Sequence, residues 1–176
     1  MATALTMLSD EHKNILKVLD ALSEECDALQ SGKKIDGDFF SKAIGFARGY
    51  ADKFHHAKEE EILFVELCKN EAQMHCNPTQ QMVYEHELGR GFIRRLEKGV
   101  EDKNKKMVIE NARGYVQLLR DHIFKEENIL YPMADKALSK EAKKKMLEKF
   151  KQAEKKLIAE RDKHLLFVRK LEKRAL

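Results

Sequence analysis

Leu8, His12, Ile15, Leu19, Leu22, Cys26 and Leu29 follow one another at alternating steps of four and three residues. That period belongs to an α-helix burying one face against other helices. Three more segments repeat it: Phe40, Ile44, Ala47, Ala51, His55, Glu59, Ile62; then Met82, His86, Gly89, Ile93, Leu96, Val100; then Val108, Ala112, Tyr115, Leu119, His122, Glu126, Ile129, Met133. With 8 Gly and 2 Pro in 176 residues, the chain lacks the turn chemistry of a sandwich or barrel. The spacing predicts helices over 5–30, 37–70, 79–102 and 105–136. A fifth, over 139–174, is polar and basic, with a narrow stripe of Leu147, Phe150, Leu157, His164, Val168 and Leu171. Short connections imply antiparallel neighbours. The expected fold is all-α: an up-down-up-down four-helix bundle over 1–137 with an additional C-terminal helix over 138–176, packed on the bundle or on a dimer partner.

There is no run of about 18 apolar residues, so no membrane span is expected. The opening MATALTMLSDEHK lacks the basic and apolar regions of a signal peptide. Cys26, Cys68 and Cys76 are odd in number and without C-x-x-C spacing, which fits reduced thiols and a cytoplasmic protein. Residues 139–176 carry a net +8 and the remainder a net −4. The basic stretch reads as a solvated helix face in preference to a nucleic-acid surface.

The second and fourth segments repeat each other. Residues 55–67 read HHAKEEEILFVEL and residues 122–134 read HIFKEENILYPMA, sharing His, Lys, Glu, Glu, Ile and Leu at six aligned positions. Each copy holds H-x-x-x-E, which sets both side chains on one helix face a turn apart. The pair lies on the apolar seam, where an unpartnered carboxylate is costly. His12 and His55 lie 20 and 23 residues from Gly32, and His86 and His122 lie 17 and 19 from Lys103. At a rise of about 1.5 Å per residue, each pair reaches a common level. Four imidazoles and two carboxylates converging in a bundle core suit two borderline divalent cations, iron or zinc, and not calcium or magnesium.

These residues resemble the hemerythrin-like (HHE cation-binding) family. The resemblance rests on DEHKNIL, HHAKEEEILF, MVYEHELGRGFI and HIFKEENILYPMA and covers about residues 5–136. It implies two non-haem iron ions, oxo- or hydroxo-bridged when oxidised, with His12, His55, His86 and His122 as terminal ligands and Glu59 and Glu126 as bridges. It also implies a small ligand such as O2, NO or peroxide. Family roles run from oxygen or nitric oxide binding, storage and sensing to peroxide or nitric oxide detoxification and repair of damaged iron centres. The chain departs from the oxygen carriers at Arg90, where they have a further histidine. It departs again at Glu126, four residues after His122, where they place an aspartate at five; Val65 stands where proline is expected. Four His and two Glu more resemble the repair branch.

His56–Glu60 is a competing pair, but the repeat aligns His55 with His122 and favours His55; His56 is then exposed or outside the ligand set. Glu60 and Glu127 are expected at the surface or orienting ligand imidazoles. Tyr50, Tyr84 and Tyr115 lie near the site in sequence, to pack with hydroxyls at the rim or to line a pocket. Met82, Leu119, Ile62 and Ile129 are expected as its apolar walls. His75 and His164 have no partner at helical spacing. Three functions remain open: a binding protein, a di-iron enzyme, and an interaction module whose metal serves stability alone.

Overall fold

The computed structural model describes residues 3–69 and 78–174, which form five helices. We number them α1 (Ala4–Gln30), α2 (37–69), α3 (Thr79–Glu101), α4 (105–137) and α5 (Lys140–Arg174). Thr3 and Thr6 cap α1 reciprocally, each satisfying the other's backbone N–H. The first connection needs Gly32, whose φ of 104° is closed to most side chains. Asp36 then caps α2 by accepting from the Phe39 N–H at 3.0 Å, and Asn104 caps α4 from Met107 at 3.1 Å. Leu138 is extended and breaks α4 from α5. The expected loop residues His75 and Cys76 lie outside the described residues.

α2 and α4 are not plain α-helices. α2 is α-helical over Gly37–Phe46, π-helical over Ala47–His56 and Glu59–Leu63, and α-helical again over Phe64–Lys69. α4 has its π stretch at Glu126–Leu130, the repeat of Glu59–Leu63. In each, an N–H reaches back five residues: Phe64 to the Glu59 carbonyl, Tyr131 to that of Glu126. A wider turn delays the inward face by one residue. Ile62 is therefore only half-buried and Ile129 is 53% exposed, while Leu63 and Leu130 are buried in their place. This corrects the expectation that both isoleucines wall the site; Met82 and Leu119 are buried as expected.

The apolar core falls into two clusters. One holds Ile15, Ala51, Ile93 and Leu119; the other holds Leu8, Leu63, Met82 and Leu130. His12 lies between Leu8 and Ile15, and His86 between Met82 and Ile93, so a polar layer separates the two. α5 crosses both clusters, burying Met146 and Phe150 in one and Val168 in the other. Each such side chain stabilises by about 1.5–3 kcal/mol relative to exposure. Phe167 meets the rings of Phe39 and Phe46, and Lys17 pairs with Glu172 at 2.5 Å. The apolar stripe of α5 thus lies on the chain's own bundle.

Candidate metal centre

Each of the first four helices delivers a buried histidine to the polar layer: His12, His55, His86 and His122. Their Nε2 atoms meet in two pairs, His12 with His55 and His86 with His122, each at 3.0 Å. Each Nδ1 faces a carboxylate: His12 has Glu127 and His86 has Glu60, both at 2.6 Å; His55 has Glu11 and His122 has Glu85, both at 2.8 Å. A carboxylate only accepts, so it holds the Nδ1 proton and leaves Nε2 to face inward. Two bare Nε2 lone pairs at that distance repel; a proton or a cation between them removes the repulsion.

Glu59 and Glu126 are fully buried between these rings. Glu59 Oε1 accepts a hydrogen bond from the Tyr131 hydroxyl at 2.7 Å. Glu59 Oε2 and both oxygens of Glu126 have no hydrogen-bond partner among the described residues. Glu126 does lie 3.2 Å from His12 Nε2 and 3.1 Å from His122 Nε2. Orphaned buried oxygens of this kind are rare and expensive. Protons fill the gap when no cation does. Burial, with the charge of Glu126 opposite, pushes the Glu59 carboxyl well above the carboxylate range. Burial opposes an imidazolium at His122, but Glu126 and Glu85 raise it to about 9. His12 is raised against the same burial by Glu126 and Glu127. His55 is driven the other way, by burial and then by the charge of His12.

Two groups of four donors could each hold a metal ion: His12, His55, Glu59 and Glu126, and His56, Glu59, His86 and His122. Within each group the donor atoms lie within 4.8 Å of one another, all are buried, and Glu59 is common to both. The donor set fits borderline metals such as iron or zinc. The structure brings together all six residues expected from the sequence, and adds His56. Its ring is buried and stacks on His86 with centroids 3.8 Å apart, so of the two expected placements the exposed one is corrected. His55 and His56 are both buried at the end of the π-helical stretch, as the neighbours Glu11 and His12 are on α1.

Around the donors the arrangement is pseudo-twofold. Lys58 donates to Glu11 and Lys125 to Glu85, so each of these carboxylates is held between a lysine and a histidine. The sequence carried this signal in two E-H dipeptides, at 11–12 and 85–86, and in the lysines shared by the repeat; their roles were not read from it. The symmetry breaks in three places. Ile123 stands opposite His56, and Phe64 stands opposite Tyr131. Lys58 is sealed beneath Glu154 and Phe150 of α5, while Lys125 is partly exposed. Tyr131 was missed because it lies five residues after Glu126, one turn on only across the π stretch. Tyr84 is exposed, Tyr50 accepts from Asn14 at 3.0 Å, and Tyr115 is buried. Arg90 pairs with Asp52 at 2.6 Å, Glu87 at 2.7 Å and Glu60 at 2.9 Å. Glu60 and Glu127 orient His86 and His12. Among the described residues, no helix is long and apolar enough to cross a membrane.

Comparison with known proteins gives one family. The model of the hemerythrin HHE cation binding domain matches residues 3–134, three quarters of the chain. No curated protein and no solved structure matches. A helical bundle, an internal H-x-x-x-E repeat on its buried seam and a His/Glu cluster compatible with metal binding accompany that match, and the chain belongs to the hemerythrin HHE cation-binding family.

Proposed function

We propose that this chain is a non-haem di-iron protein that binds dioxygen or a related diatomic ligand such as nitric oxide, and so carries, stores or senses it. The observation that carries the reading is the pair of four-donor groups sharing Glu59. His12, His55 and Glu126 would hold one ion, His56, His86 and His122 the other, and Glu59 both. Bound there, iron supplies Lewis-acidic, redox-active positions for a small ligand.

The chain's own residues do the rest. Glu127, Glu11, Glu60 and Glu85 fix the four imidazoles with Nε2 inward. Tyr131 holds Glu59 by one oxygen and keeps a hydroxyl proton at the edge of the layer. The two apolar clusters flank the layer on either side. The cytoplasm suits the buried, reduced thiol of Cys26.

The test is elemental analysis of the full chain purified from iron-supplied cells, followed by anaerobic reduction and exposure to O2 or NO. Two irons per chain and a reversible change in the visible spectrum are expected. Zinc, or no metal in a folded protein, overturns the reading.

A further inference from the structure

A cleft of about 310 Å³ opens between the π-helical part of α2 and the middle of α3, and its inner end is formed by His56 and His86. A diatomic ligand fills the space of one or two waters, roughly 30 Å³ each. The cleft is far larger than that and falls at the lower end of the range typical of organic ligands, about 300–1,000 Å³. Ile93 and Tyr115, both buried, contribute to a mostly apolar wall.

The charged groups lining it are four cations and one carboxylate, Asp52. Arg48 and Arg90 line it but are committed, Arg48 to both oxygens of Glu97 and Arg90 to Asp52, Glu60 and Glu87. Lys53 and Arg94 also line it, are exposed, and have no carboxylate partner among the described residues. The carboxylate lining the cleft, Asp52, is already neutralised by Arg90 and weighs against a dianion. An apolar wall with two uncommitted cations at the rim matches a compact apolar body carrying one negative charge.

We propose that this cleft binds a small organic monoanion, such as a carboxylate on a compact apolar body, beside His56. Its nearness to bound iron rests on the function proposed above; the cleft itself does not.

The experiment is calorimetric titration of the full chain, as purified and iron-loaded, with phenylacetate and with its neutral isostere phenylacetamide. Iron is assayed in the same samples. Phenylacetate is expected to bind one per chain with Kd of about 1 mM or tighter, and phenylacetamide about tenfold more weakly. Lys53→Glu with Arg94→Glu reverses two exposed charges and should weaken phenylacetate about tenfold without altering thermal unfolding. Equal binding of the two probes, undiminished binding by the double variant, or no binding overturns the proposal. Bound phenylacetate in a chain that takes no iron overturns the metal reading and leaves the cleft standing; iron without phenylacetate does the reverse.

Discussion

Glu59 and Glu126 are buried carboxylates whose inward oxygens have no donor among the described residues, and their removal should cost metal more than fold. Glu59→Ala and Glu126→Ala are each expected to lose at least half of the bound iron, whereas Glu61→Ala, at an exposed position, retains it. Elemental analysis of the three proteins decides. Glu85→Gln keeps the shape but weakens the hold on His122 and Lys125, and metal affinity should fall about 10–100-fold. Protons compete with the metal at these same atoms. In the metal-free protein Glu126 and Glu85 raise His122 from 6.5 to about 9. Its stabilising contribution is complete below the ordinary histidine value and is lost as pH rises through about 9. Metal-free protein should therefore unfold at lower denaturant at pH 9 than at pH 6. Iron affinity runs the other way, rising with pH, and iron uptake releases protons that a pH electrode can count. The burial and convergence of the six candidate donors were legible because they sit on the apolar seam, where charge is anomalous. The burial of His56 was not, because it lies beside the seam and only the packing of the neighbouring helix covers it.

The π turns act on whole elements. Glu59–Leu63 and Glu126–Leu130 adopt the same widened turn, although Val65 follows one and Pro132 the other, so the proline is not its cause. Helix existence and order were readable from the four-and-three spacing, since that period survives on either side of the turns. The inward register beyond Glu59 and Glu126 was not readable, because hydrogen bonds reaching back five residues leave no mark in composition. The longest π stretch, Ala47–His56, also receives α5. A Cβ built on Gly49 would stand 2.0 Å from His164 Nε2, on a buried ring. Gly49→Ala should destabilise the protein by about 1–3 kcal/mol through displacement of that ring, and Gly49→Ala with His164→Ala should recover part of the loss. Denaturant unfolding of the two single variants and the double variant measures the coupling.

At the scale of the molecule, a polar layer divides the core, and the free energy of binding cations there is added to that of folding. Iron at a thousandfold excess over its Kd should raise stability by about 4 kcal/mol, and a chelator should remove the gain. Thermal unfolding with and without iron reads it directly. The bundle was legible from its seams and short connections. The docking of α5 on its own bundle was not, since a narrow stripe on a basic helix serves either a bundle or a second copy. The pseudo-twofold axis through the layer has one further consequence. α1 with α2 supplies Glu11, His12, His55, Lys58, Glu59 and Glu60, and α3 with α4 supplies Glu85, His86, His122, Lys125, Glu126 and Glu127. Each helical hairpin thus encodes one complete half of the shell, and two copies of either, back to back, would present the same twelve groups. Joined in one chain, the halves are free to diverge. His56, Tyr131 and the sealed Lys58 are where they differ, giving the two donor groups separate identities that a dimer of identical hairpins could never have had.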